Sequence, residues 1–68
     1  MKEKAYIARN KNGDLYIYTK GKPYKGACIW ATGHPNCAAK IDNHILPEIK
    51  WEDEEPTEIN IEIVNKKQ

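Results

Sequence analysis

The stretch KAYIARNKNGDLYIYT, residues 4–19, decides the fold of this 68-residue chain. Residues 4–9 alternate and are rich in β formers, and residues 14–19 resume the alternation. Between them, Asn12-Gly13 is a strong hairpin signal, because both residues tolerate the positive φ of a primed turn. The pattern predicts a β-hairpin over Lys4–Thr19. In its second strand one face carries Leu15 and Ile17, and the other carries Tyr16 and Tyr18.

A second strand signal lies in the last third of the chain, IKWEDEEPTEINIEIVN at residues 49–65. Its isoleucines recur with the period of two that is typical of a half-buried strand. We therefore predict a strand over Thr57–Val64 that turns Ile59, Ile61 and Ile63 inward. The preceding residues, Glu52–Pro56, are too acidic to form a core.

The middle of the chain predicts short elements separated by breaks. Gly21 and Pro23 interrupt the second strand. The sequence then predicts a strand over Ala27–Ala31, with Cys28 and Trp30 on one face and Ile29 on the other. A turn over residues 32–36 and a strand over Cys37–Ile41 follow. Asn43–Leu46 is predicted as one helical or 3₁₀ turn, because Pro47 prevents a longer helix. Residues 47–55 fit either a helix or an extended chain.

These elements predict a single small β-rich domain over residues 1–68. The expected fold is a mainly β antiparallel meander of four to five strands, with at most one short helical turn near residues 43–48. The C-terminal strand is expected to return beside the first. The result is either an open barrel or a half-covered sheet.

The charges are divided unequally along the chain. Residues 1–40 carry a net charge of +6 and residues 41–68 a net charge of −5, although the whole chain carries only +1. The simplest interpretation is that the acidic segment folds back beside the basic hairpin. No apolar run approaches the ~20 residues of a membrane span, and no signal-peptide core follows Met1. We therefore expect a cytoplasmic protein without a membrane partner.

Two cysteines and two histidines raise the question of a zinc site. Tetrahedral zinc sites use two sulfurs and two imidazoles. The spacing C-x5-H-x2-C-x6-H lacks the tight knuckle that pre-forms half a site, so we expect no metal and no cofactor. Thiols and a disulfide remain as the other interpretations of the cysteines. The alternative zinc ligands are Cys28, His34, Cys37 and His44.

Catalysis has little support in the sequence. The only candidate dyad pairs Cys28 or Cys37 with His34, and so small a sheet has little volume for a substrate cavity. The carboxylates of Glu52–Glu55 are too crowded and solvated to act as an acid/base pair. No glycine-rich phosphate loop occurs. We therefore predict that the chain is not an enzyme.

Nucleic-acid binding is the main alternative function. Basic groups mixed with stackable rings are typical of single-strand binders. Lysines that protect sheet edges and tyrosines that pack the sheet would give the same pattern. The candidate residues are Arg9, Lys11, Tyr16, Tyr18, Lys20, Lys22, Tyr24 and Lys25.

Two segments, ARNKNGDLYIYTKGKP (Ala8–Pro23) and ILPEIKWEDEEPTEINI (Ile45–Ile61), resemble known proteins. They are similar to the ends of short, uncharacterised proteins of gut bacteria and of phages and other mobile elements. Those proteins carry an ARDKDG-type hairpin, then a Lys-Pro dipeptide and a stretch like LFPEVKWEDEEPTEV. Residues 26–42 depart from that group. The resemblance implies a phage or mobile-element origin, small size and a β-rich fold, and it implies nothing about activity.

The sequence favours a non-enzymatic protein–protein interaction module. Its partner is an unidentified protein or a second copy of the chain. An aromatic residue with a polar rim is a common contact between proteins, although Trp51 also fits a packing role at a strand end. The candidate partner-binding residues are Trp51, Glu52, Asp53, Glu54 and Glu55.

Overall fold

The computed structural model describes residues 2–34 and 37–62, and this part of the chain is all β, without a helix. Four strands form one antiparallel sheet in the order β5-β2-β1-β6, and β3 pairs with β4 in a separate ladder. The sheet is not closed, which confirms the predicted small β meander. The strands are β1 Lys2–Arg9, β2 Leu15–Tyr18, β3 Tyr24–Lys25, β4 Trp30–Ala31, β5 Ala38–Ile41 and β6 Thr57–Glu62.

The hairpin of β1 and β2 is confirmed, but its turn differs from the primed turn that the sequence predicts. The loop spans residues 11–13: Asn10 N–H donates to Asp14 O at 2.8 Å, and Gly13 N–H donates to Asn10 O at 2.9 Å. Only Gly13 of these residues has a positive φ, +98°. The three-residue loop pairs Ile7 with Ile17. A two-residue loop would shift that register by one and place isoleucine opposite tyrosine, which the buried faces forbid.

One side of the sheet, here called the isoleucine face, carries the first core cluster. Ile7 and Leu15 pack there against Ile49 from the segment that follows β5. Asp42 and Ile45 close a single turn in that segment, with Ile45 N–H 3.4 Å from Asp42 O, and the turn does not extend into a helix. Leu46 then adopts a φ of +54°, which no helix contains. Its side chain packs on the core, so burial holds the residue in the left-handed region.

The other side, the tyrosine face, carries a second core cluster of Ala8, Tyr18 and Trp30. Tyr6, Tyr16 and Trp51 pack around it. The hairpin of β3 and β4 supplies Trp30. The predicted strand over Ala27–Ala31 is therefore wrong in its first half, since residues 26–29 form the hairpin turn that Gly26 N–H closes onto Ile29 O at 2.8 Å.

The C-terminal strand pairs antiparallel with β1, as predicted. Its register places Ile59 opposite Ala5 and Ile61 opposite Glu3. Both isoleucines are half-buried on the isoleucine face. The predicted continuation of the strand through Ile63 and Val64 lies outside the described residues. The edges of the described sheet are thus β6 on one side and β5 on the other.

Candidate functional site

Strand β5 leaves half of its backbone groups facing outward from the sheet. Thr19 N–H donates to Cys37 O at 2.9 Å, and this pair continues the register of β2 with β5. Hydrogen-bonded pairs alternate with non-hydrogen-bonded pairs in an antiparallel ladder. Ala39 and Ile41 therefore bond to β2, whereas Ala38 and Lys40 direct N–H and C=O away from the sheet. Among the described residues, no other strand pairs with this edge.

An apolar groove of about 380 Å³ adjoins this edge on the tyrosine face. Ala38 of β5 contributes to its lining, so the groove begins at the edge itself. Because the side chain of Ala38 is a single methyl group, it leaves the groove open toward any strand added beside β5. The lining consists of Asn10, Tyr16, Tyr18, Ile29, Trp30, Ala31, Thr32 and Ala38.

Three hydrogen bonds, two of them buried, hold the far wall of the groove in place. Tyr18 Oη donates to Trp30 O at 2.9 Å, and Trp30 N–H donates to Asn10 Oδ1 at 2.8 Å. The turn of the β3–β4 hairpin is held as well, since Lys11 N–H donates to Cys28 O at 3.0 Å. These bonds leave the side chain of Ile29 53% exposed beside the groove. The wall is therefore tied to the β1–β2 hairpin by hydrogen bonds with Lys11, Tyr18 and Asn10.

The hydroxyl of Tyr18 is strongly affected by this packing. Burial raises the pKa of Tyr18 to about 12, with smaller contributions from Tyr16 and Cys37. The rings of Tyr16 and Tyr18 lie with their centroids 6.4 Å apart. Tyr18 therefore remains a neutral hydrogen-bond donor throughout the physiological pH range, which suits an apolar groove floor.

The structure places Trp51 against the core rather than in solvent. Its ring is half-buried beside the cluster of Ala8, Tyr18 and Trp30. Lys25 Nζ lies 4.5 Å from the centroid of that ring and donates to Asp53 O at 3.0 Å. A cation over an aromatic face stabilises by about 0.5–1 kcal/mol at exposed sites. Packing of Trp51 is thus its observed role.

The acidic segment, Glu52–Glu55, lies beside the basic residues that follow β2. Lys22 forms an ion pair with Glu55, and this partner raises the pKa of Lys22. Asp53 is half-buried and accepts a bond from Lys50 N–H at 3.1 Å. Glu52, Glu54 and Glu55 are exposed. Among the described residues, two ion pairs join the basic and the acidic halves of the chain, Lys22–Glu55 and Lys4–Glu58.

The residues predicted for nucleic-acid binding lie in different environments. The guanidinium of Arg9 lies on the isoleucine face and donates to the carbonyl oxygens of Ile49, Gly13, Asn43, Ile45 and Leu46 at 2.6–3.1 Å. The guanidinium therefore acts as a clamp that holds the backbone of residues 43–49 and of the hairpin turn. Lys22 and Lys25 contact the acidic segment. Lys11, Lys20 and Tyr24 are exposed, whereas Tyr16 and Tyr18 line the groove.

The alternative zinc ligands lie in different environments. Cys28 is exposed in the hairpin turn, Cys37 is buried 3.4 Å from Thr32 Oγ1, and neither forms a disulfide. His44 contacts Asp42 at 3.2 Å, and this neighbour lowers the pKa of Asp42. His34 N–H donates to Thr32 Oγ1. Within residues 2–34 and 37–62, no three His, Cys, Asp or Glu side chains gather as a metal site would require.

The sequence did not predict that β5 forms an exposed edge of the sheet or that a groove lies beside it. The available signal is the pair Ala38-Ala39, because two small residues in a strand leave room on both faces. The sequence does not predict that the side chain of Ile29 is exposed, because this exposure depends on the turn over residues 26–29.

Two further findings bear on function. The described part of the chain contains no helix that is long and apolar enough to cross a membrane. Comparison with known proteins found no matching family model, no matching curated protein and no matching solved structure.

Proposed function

We propose that this chain is a non-enzymatic protein-binding module that accepts an extended segment of a partner along β5. The observation that carries the proposal is the coincidence of an open strand edge with an apolar groove that starts at Ala38. Strand addition uses these two features: backbone hydrogen bonds give affinity, and pockets for alternate side chains give specificity.

The outward groups of Ala38 and Lys40 support the first feature. An added strand would form hydrogen-bonded pairs with these two residues, since they are the ones that do not bond to β2. Both are exposed. Exposed edges are commonly blocked by proline, bulges or charges, and β5 carries only one such element, Lys40.

The groove supports the second feature. A side chain of the added strand opposite Ala38 would extend over this methyl group toward Tyr18, which pairs with Ala38 and lines the groove. Burial of one leucine or phenylalanine side chain stabilises by about 1.5–3 kcal/mol. A groove of about 380 Å³ accommodates one such side chain.

Trp51 and the acidic segment take a secondary place in this proposal. The exposed carboxylates of Glu52, Glu54 and Glu55 do not line the groove, so the acidic segment is the alternative binding surface. The proposed location is the cytoplasm, which keeps unpaired thiols such as Cys28 reduced. A phage or mobile-element origin rests on the resemblance of the two segments alone.

The test begins with random ten-residue peptides displayed on phage and selected on the immobilised chain. Selected peptides are titrated into ¹⁵N-labelled protein. We expect the largest shifts at the amides of Ala38 and Lys40. Ala38→Leu, which fills the mouth of the groove, should weaken binding at least about tenfold. Ala39→Leu is the matched control, because Ala39 is equally exposed on the same strand but points to the isoleucine face.

Two results would overturn the proposal. One is the selection of no peptide above background. The other is a set of shifts centred on Trp51 and Glu52–Glu55, which would move the binding surface to the acidic segment. A parallel titration with single-stranded oligodeoxythymidine tests the nucleic-acid alternative. Shifts at Lys11, Lys20 and Tyr24 that fade steeply with added salt would favour that alternative.

A further inference from the structure

We infer that the segment bound at β5 runs antiparallel to it and carries a carboxylate two residues before the large apolar side chain that enters the groove. This inference rests on the proposed function and adds the chemistry of the partner. It follows from the position of one charge, Lys40, relative to the mouth of the groove.

Lys40 is the only charged residue of the two strands that border the groove, β2 (LYIY) and β5 (AAKI). It pairs with Tyr16 and therefore lies on the tyrosine face, the same face as Ala38. Its side chain is 57% exposed. A strand added at this edge would thus meet an apolar site at Ala38 and, two residues along, an ammonium group at Lys40.

The spacing of the partner's residues follows from strand geometry. Side chains alternate between faces, so residues opposite Ala38 and Lys40 point to the groove side and are separated by one residue. Antiparallel pairing is favoured slightly over parallel pairing. In that direction the partner passes Lys40 first and Ala38 second. The order in the partner is therefore acidic residue, any residue, large apolar residue.

Asp14 is the one carboxylate that contacts Lys40 among the described residues, with Oδ1 3.6 Å from Nζ. It is held in place by Asn12, whose Nδ2 donates to Asp14 Oδ2 at 3.2 Å. The pair joins an exposed lysine to a half-buried carboxylate, and an ion pair of this length at the surface contributes little. A partner carboxylate would share the Lys40 ammonium with Asp14, so removal of the Asp14 charge should strengthen the binding of an acidic partner.

The experiment uses four ten-residue peptides rich in threonine and valine. The first has Glu-Thr-Phe at its centre, the second has the reversed order Phe-Thr-Glu, the third has Gln-Thr-Phe, and the fourth has Glu-Thr-Ala. Each is titrated into labelled protein at low salt, and the shifts of the Ala38 and Lys40 amides give the Kd. We expect Glu-Thr-Phe to bind about two- to fivefold more tightly than Gln-Thr-Phe and than the reversed order.

Single substitutions test whether Lys40 causes the preference for the Glu peptide over the Gln peptide. Lys40→Gln should abolish the difference between the Glu and Gln peptides, and Asp14→Asn should enlarge it. Lys4→Gln is the matched control, since it makes the same charge change on the tyrosine face of β1 and should keep the difference. Equal binding of the Glu, Gln and reversed peptides, with loss of affinity only for Glu-Thr-Ala, would overturn the inference and leave the proposed function standing. Failure of all four peptides, together with an empty phage selection, would overturn both.

Discussion

Arg9 shows how much one side chain contributes to the isoleucine face. Its guanidinium donates to five backbone carbonyl oxygens, four of them in residues 43–49. These residues form isolated turns, and their carbonyl oxygens have few partners within the segment. Arginine suits this position because its planar group presents five donors in a fixed arrangement. The clamp holds Leu46 and Ile49 onto the core.

Substitution of Arg9 tests the clamp. Arg9→Lys keeps the charge, but the three N–H donors of lysine are on a single nitrogen atom and cannot reach all five carbonyl oxygens. We therefore expect the free energy of unfolding to fall by about 2 kcal/mol. Urea denaturation followed by tryptophan fluorescence measures it. Lys11→Gln, in the exposed turn nearby, should change stability by less than about 0.5 kcal/mol. Equal stability of the Arg9→Lys variant and the wild type would show that the clamp contributes nothing.

Tyr18 predicts a loss of stability at high pH. Burial raises the pKa of Tyr18 to about 12 from the ordinary 10.0, so the folded state favours the neutral phenol. This contribution to stability is complete below pH 10 and is lost as the pH rises through 12. Melting temperatures between pH 9 and pH 12 should fall less steeply in Tyr18→Phe than in the wild type. Tyr24→Phe, a change at an exposed ring, should retain the steep fall, and identical slopes in all three proteins would contradict the assignment.

At the scale of elements, the short β3–β4 hairpin and the acidic segment form one layer over the tyrosine face. Lys25 joins them, since its ammonium lies over Trp51 and bonds to Asp53 O. The hairpin contributes Trp30 to the core below. Two strands of two residues each have little stability alone. Their position therefore depends on contacts with the sheet and with the segment that follows Ile49.

The exposed carboxylates of that layer give a prediction about function. The double variant Glu52→Gln, Glu54→Gln should keep the free energy of unfolding within about 0.5 kcal/mol of the wild type, because exposed charges contribute little. It should also leave the affinity of selected peptides unchanged, since neither residue lines the groove. Thermal melting and the peptide titration measure both quantities. A marked loss of affinity would make the acidic segment part of the binding surface.

At the scale of the whole molecule, β1 and β2 are covered on both faces. The isoleucine face is covered by residues 43–49, and the tyrosine face by the β3–β4 hairpin. Among the described residues, three large apolar side chains stay exposed outside this arrangement, Tyr24, Ile29 and Ile45. The cover reaches Ile41 of β5, which packs on the first core cluster, but leaves Ala38 and Ala39 exposed. Ala38 and Ala39 therefore lie outside the two core clusters, and this part of β5 forms the exposed edge of the sheet.

The sequence by itself determined the hairpin, the C-terminal strand and its return beside β1, because period-two alternation and a turn signal are local and act within a few residues. It also indicated that the acidic and basic halves would meet. Only the tertiary structure decided the role of Arg9, the packing of Trp51 and the groove beside Ala38. Each of these depends on groups 20 or more positions apart in the chain, such as Arg9 with Ile49, which are separated by 40. A local pattern contains no information about which distant part of the backbone will approach a side chain. The groove beside Ala38 could therefore not be predicted from the sequence, because it forms only where the fold brings β5, β2 and the β3–β4 hairpin together.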